Sequence, residues 1–390
     1  MRQPLVRTIL AALVSAAFVT LAPAAAQVVR GDVRDAVTHT PIFGAIVVVL
    51  DTSGARVAGA ISDDSGRFSI RLSDAGAYRL RAERIGYAAN GFDTIALAAG
   101  ASVIAHLTAT SVAVVLPTVF VSATSRCVIR PTEGAQTAVL WEEARKALDA
   151  TQVALEGHLV FAVRQRYSRF LDGTSLNVRQ EKVFVDSVLL EHPWQTGVSP
   201  EDLAKSGYRI VYAGDAVPGF LTPGDTVFAV PDATVLLSDA FARTHCFRVR
   251  HDSLDTDHPG LIGLTFEPAI KRSAPDVTGT LWLDSATALL RFMEFRHTNL
   301  FAEVSPRRYG GRMDFELLPG GIWVVRKWTV RMPIVSSGSL NAAGMGDARF
   351  LTGGHHVAYY HDDGGSLLSA TVVKPPEETA PISKPPSATP

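Results

Sequence analysis

The sequence predicts a mainly β protein made of two sheet-built bodies: an N-terminal β-sandwich of the seven-strand type, then a larger antiparallel sheet or half-barrel with one packed helix. Three observations predict it. Short apolar–polar alternations recur from residue 28 to residue 372, turns rich in Gly, Pro and Asp separate them at short spacing, and a convincing 3.6-residue period occurs once, over residues 136–151. With 47% hydrophobic and 19% charged residues the chain falls in the globular class rather than the disordered one. Its formal charge of −1, with basic residues spread along the chain, gives no footprint for nucleic acid.

The chain opens MRQPLVRTILAALVSAAFVTLAPAAAQ. Arg2 and Arg7 precede an apolar run, and Ala24, Ala25 and Ala26 supply the small residues of a cleavage site, so residues 1–26 are expected to be a signal peptide. No later segment reaches the roughly 18 apolar residues that span a bilayer, so no membrane span is expected in the mature chain. Export favours disulfides, and the two cysteines, Cys127 and Cys246, are expected to pair. Closing a loop of about 120 residues contributes on the order of 5 kcal/mol at most in the chain-entropy model.

Residues 28–110 read as short strands. In GRFSIRL, Phe68, Ile70 and Leu72 oppose Arg67, Ser69 and Arg71; in AYRLRAE, Tyr78, Leu80 and Ala82 oppose Arg79, Arg81 and Glu83. That period of two marks half-buried strands. Gly66 and Gly86 suit turns, and Asp63 and Asp64 can bond their own turn amides. Two carboxylates in SDDSG fall short of the six to eight oxygens that calcium takes.

The ordered series Gly31, Val33 and Asp35, then Pro41-Ile42-x-Gly44-Ala45, then Asp64-x-Gly66-Arg67-Phe68, then Gly76-x-Tyr78 and Gly86-Tyr87, resembles the carboxypeptidase regulatory-like domain, a transthyretin-like sandwich. The resemblance implies a spacer, adhesion or carbohydrate-binding-like module of exported bacterial proteins. It does not imply peptidase activity.

Residues 111–135 read as a linker, whose LPTVFVSA is similar to the valine-rich piece that follows this module in TonB-dependent receptors. Too few residues remain for a plug and barrel, so only the export context carries over. In the helix of residues 136–151, Leu140, Ala144 and Leu148 form an apolar stripe. Its charged stripe, with Glu142 and Lys146 at i, i+4, is expected to be a solvated face.

Residues 153–372 form a run of strand-like segments, with a short helix at SPEDLAKS capped by Ser199. In the hairpin RMDFELLPGGIWVVRKWTV, alternation pairs Met313 with Trp328, Asp314 with Lys327 and Leu317 with Val324. This meander is similar to the half-barrels of periplasmic lipoprotein-localisation and sigma-regulator proteins. That resemblance implies acyl chains or a partner protein on a concave apolar face, with Met313, Phe315, Trp328 and Val330 as the possible ligand face. Residues 374–390, rich in Pro, Ser and Thr, read as a disordered tail.

Motifs for catalysis are missing. None of the eleven histidines carries a Glu three residues on, and neither Gly-x-Ser-x-Gly nor a Walker loop occurs. GGHHVAYYHDDGG concentrates His355, His356, His361, Asp362 and Asp363, but neither strand nor helix spacing converges three ligands, and the flanking glycines suggest a loop or edge strand. RHDSLDTDH reads as a polar loop. The five tryptophans, Trp141, Trp194, Trp282, Trp323 and Trp328, read as packing rather than sugar platforms. The expectation is therefore an exported, noncatalytic binding or envelope-scaffolding protein without catalytic residues, metal or cofactor. Its partner would be an envelope protein, glycan or lipid, in the periplasm, at the outer-membrane surface or outside the cell. The alternatives are a lipid or lipoprotein carrier and an unrecognised hydrolase.

Overall fold

The computed structural model describes residues 27–112, 131–157, 159–190, 198–215, 223–250, 257–270, 272–300, 308–319, 321–336 and 356–373. The expected signal peptide, most of the linker, Cys127, Trp194, His355, most of the RHDSLDTDH loop and the tail lie outside the described residues.

The first body is a sandwich of two four-stranded sheets. One contains β1 (Gln27–Asp35), β4 (Arg67–Leu72), β6 (Tyr87–Ala89) and β8 (Ser102–Ser111); the other contains β2 (Ile46–Leu50), β3 (Arg56–Ile61), β5 (Gly76–Glu83) and β7 (Asp93–Leu97). Their orders are β4-β1-β8-β6 and β3-β2-β5-β7, with β1 and β8 parallel. The alternating residues Phe68, Ile70, Leu72, Tyr78, Leu80 and Ala82 all enter its core. Two strands escaped the sequence reading: β6 and β7 are three and five residues long, and most of their side chains stay outside the core.

Strand β2 is buried on both faces, which explains its unbroken apolar run IVVVL. Val47 and Val49 face the sandwich interior, while Ile46 and Val48 join the core of the second body. Between the two bodies lies α1 (Pro131–Glu156), longer at both ends than the expected helix of residues 136–151. Pro131 suits a first helical position, where no N–H bond is needed, and Val153, Ala154 and Leu155 extend the buried stripe beyond residue 151.

The charged stripe of α1 is not a solvated face, and this corrects the expectation. The sandwich covers it. Arg145 donates to Glu83 (2.8 Å), Glu142 (2.9 Å) and Asp149 (2.5 Å). Lys146 bonds Glu143 at 2.7 Å and the Tyr87 carbonyl at 2.8 Å, and the Gly86 amide donates to Glu143 at 3.0 Å. The pair on the helix is thus Glu143–Lys146 rather than Glu142–Lys146. Burial opposes the Arg145 cation, but Glu142, Glu83 and Asp149 outweigh it and raise its pKa. The bodies also meet at two turns: a Cβ on Gly44 (φ +68°) would lie 2.6 Å from the Cα of Gly321.

The second body is an eleven-stranded sheet. It comprises β9 (Val160–Asp172), β10 (Val178–Leu189), β11 (Arg209–Val211), β12 (Thr226–Phe228), β13 (His245–Arg250), β14 (Leu261–Pro268), β15 (Asp276–Asp284), β16 (Leu290–Thr298), β17 (Gly310–Leu318), β18 (Ile322–Ser336) and β19 (His356–Val372). The main order is β10-β9-β19-β18-β17-β16-β15-β14-β13. Helix α2 (Pro200–Ser206) is capped by Ser199, as read from the sequence; α3 (Ala233–Leu236) and α4 (Asp239–Thr244) pack nearby.

Two sequence readings need correction. From His356 onward the GGHHVAYYHDDGG segment is an interior strand, β19, between β18 and β9, rather than a loop or edge. Its glycines make room for rings: a Cβ on Gly364 would meet the Tyr167 hydroxyl at 2.5 Å, and one on Gly365 the Trp328 ring at 2.6 Å. In the β17–β18 hairpin, Met313 pairs Trp328 and Asp314 pairs Lys327 as expected, but Leu317 pairs Trp323 instead of Val324. A bulge at Arg326 shifts the register nearer the turn.

Candidate functional site

The sheet of the second body has one apolar face and one polar face. Helix α1 fills the apolar face. Leu140, Ala144 and Leu148 share a core with Met293, Met313, Trp328 and Val330, and Phe315 packs against it. Met313 and Trp328 are each 2% exposed. The space left beside Met313 and Phe315 is about 20 Å³, room for about one water molecule and far too little for an acyl chain. The four residues expected as a ligand face are therefore together, but they contact a helix of their own chain.

The polar face carries a hollow of about 800 Å³ lined from strands β9 to β13. Strand pairing builds its floor. One row runs Arg248, Thr265, Thr280, Glu294, Arg312, Thr329, each the register partner of the next. A second runs Gly310, Arg331, Asp362, Arg169. At about 4.8 Å per strand the first row is roughly 24 Å long.

Seven arginines and three carboxylates (Glu267, Glu294 and Asp362) line the hollow. The chain as a whole carries −1, so this is a local cationic surface. Arg331 grips Asp362 through two bonds of 3.2 and 3.3 Å, and Arg312 bonds Glu294 at 3.0 Å and Asp314 at 2.8 Å. Burial works against the Arg312 cation, yet Asp314 and Glu294 raise its pKa. Burial raises the phenols of Tyr167 and Tyr309, which keeps both as hydrogen-bond donors. Arg296 is exposed and, among the described residues, makes no ion pair or hydrogen bond.

The GGHHVAYYHDDGG residues divide between the faces. Asp362 joins the hollow, whereas His361 and Asp363 point to the face that carries the apolar core. The His361 Nε2 lies 2.8 Å from Ser168 Oγ, its ring stacks on Phe170, and burial lowers its pKa. Its neighbour Asp362 bonds Arg331 across the sheet, so the Ser168–His361 pair takes no orienting carboxylate from that residue. Among the described residues no group of three or more His, Cys, Asp or Glu side chains could hold a metal. Asp63 spends a carboxylate oxygen on the Ser65 and Arg67 amides, which explains SDDSG as a turn.

Burial pushes the Asp363 carboxyl up to about 6, against the pull of Arg166. With an ordinary value of 3.8, the folded state holds this proton more tightly than the unfolded one, so the carboxyl favours folding below pH 3.8 and loses that advantage as pH rises through 6. At pH 8 the ionised group costs about 3 kcal/mol. Asp363→Asn is expected to raise stability by about 2 kcal/mol at pH 8 and by little at pH 4, read from urea midpoints.

Other sequence candidates have structural roles. Trp282, Trp323 and Trp328 are buried and Trp141 packs on the main core. His258 stacks on Trp282 at 4.0 Å and Arg250 lies 5.6 Å from its ring, which closes it to a sugar. Cys246 is a buried strand residue whose expected partner, Cys127, lies outside the described residues. The arginines were missed because alternation assigns them only to a polar face; that eight strands align them in rows is a property of register.

These features define a two-body β protein with a cationic recess on its larger sheet. Residues 28–110, the two-sheet sandwich, match the family model described as the carboxypeptidase regulatory-like domain. The match covers under a quarter of the chain. No curated protein matches the chain. Among solved structures, the pilus 2b backbone protein of group B streptococcus is 14% identical over 22% of this chain and 41% of its own, with a TM-score of 0.20. The major pilin subunit of Bacillus cereus is also 14% identical, over 22% and 30%, with a TM-score of 0.19. A DUF3823 family protein from Parabacteroides merdae is 11% identical over 67% and 92%, at 0.19. The chain spans less than half of either pilus protein, and at these scores no functional argument rests on the neighbours.

Proposed function

We propose that this chain is an exported, noncatalytic binding or scaffolding protein of the bacterial envelope. Its regulatory-like domain is a fixed module, and its ligand meets the polar face of the large sheet. The observation that carries this reading is the contrast between the two faces: α1 closes the apolar one, and the polar one keeps an arginine-lined hollow of about 800 Å³. The regulatory-like domain supports the noncatalytic part, since that module binds or spaces. The acyl-chain carrier loses support because the space beside Met313, about 20 Å³, holds about one water molecule and no acyl chain. Among the described residues no helix is long and apolar enough to cross a membrane.

Pairing of Cys127 with Cys246 belongs to the same proposal, since an exported chain with two cysteines can tie the sequence just ahead of α1 to β13. One experiment tests the reading: recover the protein from fractionated cells and map its peptides without reduction. The expected result is an N-terminus at Gln27, envelope location and a Cys127–Cys246 cross-linked peptide. Cytoplasmic protein that keeps Met1 and two free thiols contradicts it. The hydrolase alternative rests on the Ser168–His361 pair. Turnover of an ester or glycan that Ser168→Ala abolishes would replace the noncatalytic reading.

A further inference from the structure

We propose that the hollow on the polar face binds an anionic glycan, a sugar chain bearing carboxylate or sulfate groups. This rests on the reading of the chain as a binding protein and names the ligand class of that site.

Three features of the floor carry it. The first is charge: seven arginines line the recess and outnumber the five carboxylates bonded to them, Glu181, Glu267, Glu294, Asp314 and Asp362, so the recess keeps a positive excess although the chain is close to neutral. The cations are all guanidiniums. A guanidinium offers a planar fork that matches a carboxylate or sulfate edge and is less strongly hydrated than an ammonium, so an oxyanion can displace its water.

The second is a gap between two cations. Gly310 sits between Arg296 on β16 and Arg331 on β18: it is the register partner of Arg331, and a Cβ placed on it would lie 3.5 Å from the Arg296 Cβ. The arginines are two strand spacings apart, about 10 Å, with bare backbone between them. Gly310 has φ +128°, and an added Cβ would meet the Phe295 carbonyl at 2.5 Å, so the position excludes a side chain. An oxyanion can settle there between two guanidiniums. Arg331 already spends its Nε and Nη2 on Asp362, which fixes its plane and leaves its other donors open. Arg296 spends none on another described residue.

The third is hydroxyl chemistry along the same rows. Thr280 and Thr329 line the hollow, and neither hydroxyl has a hydrogen bond to another described residue. The Tyr167 hydroxyl lies over Gly364, the register partner of Thr329, as a further donor. Hydroxyls interleaved with guanidinium forks across roughly 24 Å of sheet suit an oligomer with alternating hydroxyl and acidic groups better than a compact ion.

Calorimetric titration of the full mature chain tests this with four probes: hexagalacturonate, dextran sulfate, uncharged dextran, and vesicles containing an anionic phospholipid. The expected result is binding of at least one of the first two, weakening as salt rises, with no heat from uncharged dextran. Arg296→Glu and Arg296→Gln are each expected to weaken that binding at least tenfold without changing the melting temperature, while Arg67→Glu on the sandwich leaves it unchanged. Failure of both anionic glycans, equal affinity for uncharged dextran, binding confined to vesicles, or indifference to both Arg296 substitutions overturns the proposal. Tight binding of uncharged dextran alone would keep the binding-protein reading and remove the anionic assignment. Shortening of a glycan during the titration would remove the noncatalytic reading instead.

Discussion

Arg145→Met is expected to cost about 3–5 kcal/mol of stability, because it strips the cation from carboxylates that stay behind at a buried junction. The Glu83 side chain is 2% exposed at the end of strand β5, where Arg81 and Arg145 both reach it. Asp149, one turn along α1, is bonded to Arg145 and lies 3.6 Å from Arg56 of the sandwich. Burial raises the Asp149 carboxyl, with Arg145 as the largest opposing influence. Loss of Arg145 therefore leaves two acids short of a partner with little access to water. Urea unfolding at pH 7.5 checks the size. The double variant Glu83→Gln/Arg145→Met is expected to cost less than the sum of the single changes, since the glutamine removes the stranded charge. Additive losses would mean that the two side chains do not act as a pair.

The second large effect is an acid sensitivity that wild type conceals. Burial, opposed by a 2.7 Å bond to the Ala229 carbonyl and by the Asp276 charge, lowers His297 from an ordinary 6.5 to about 4. The unfolded chain then takes up this proton first. Stability is unaffected above pH 6.5 and falls as pH drops from 6.5 to 4, by about 3 kcal/mol. Asp363 shifts the other way over nearly the same interval and regains about as much, so in wild type the two largely cancel. Asp363→Asn exposes the histidine: its stability is expected to fall by about 3 kcal/mol between pH 7 and pH 4, and adding His297→Gln is expected to flatten that slope. Asp276, beside His245 and Arg272, acts lower down. Burial raises its carboxyl, but bonds to His245 and Arg272 prevail and lower it, so its contribution is lost only below about pH 3.8. A steep slope between pH 7 and 4 that survives in Asp363→Asn/His297→Gln would locate the sensitivity elsewhere.

Legibility of the sequence followed the range of the interaction involved. Alternation in RFSIRL and RMDFELL is local, and it placed Phe68, Ile70, Leu72 and Met313 on their buried faces. Even the pairing of Met313 with Trp328 followed from it. The bulge at Arg326 did not, because one inserted residue leaves the composition of the strand unchanged. The charged stripe of α1 reads as solvated in any isolated helix; only the arrival of Glu83, Gly86 and Tyr87 from a separate body buries it. Gly364 and Gly365 looked like loop residues because the rings that need their space, Tyr167 and Trp328, lie far away in sequence.

The same limit hid the candidate site. Arg248, Arg312 and Arg331 each sit at a polar position of a different strand, and nothing local distinguishes them from other arginines. They line one hollow only once the strands between β13 and β9 are laid in register. The apolar residues Met313, Phe315, Trp328 and Val330 were legible as a face, yet their occupant is α1, whose apolar stripe had been read correctly and not matched to them.

The central claim is that ligand meets the arginine face while α1 keeps the apolar face closed. Hydroxyl-radical and arginine-selective footprinting of the full mature chain, with and without hexagalacturonate or dextran sulfate, tests it directly by mass spectrometry. The result expected is protection of Arg296, Arg308 and Arg331, with Met293, Met313 and the α1 peptides unchanged. Unprotected arginines together with altered reactivity at Met313 or along α1 would contradict it.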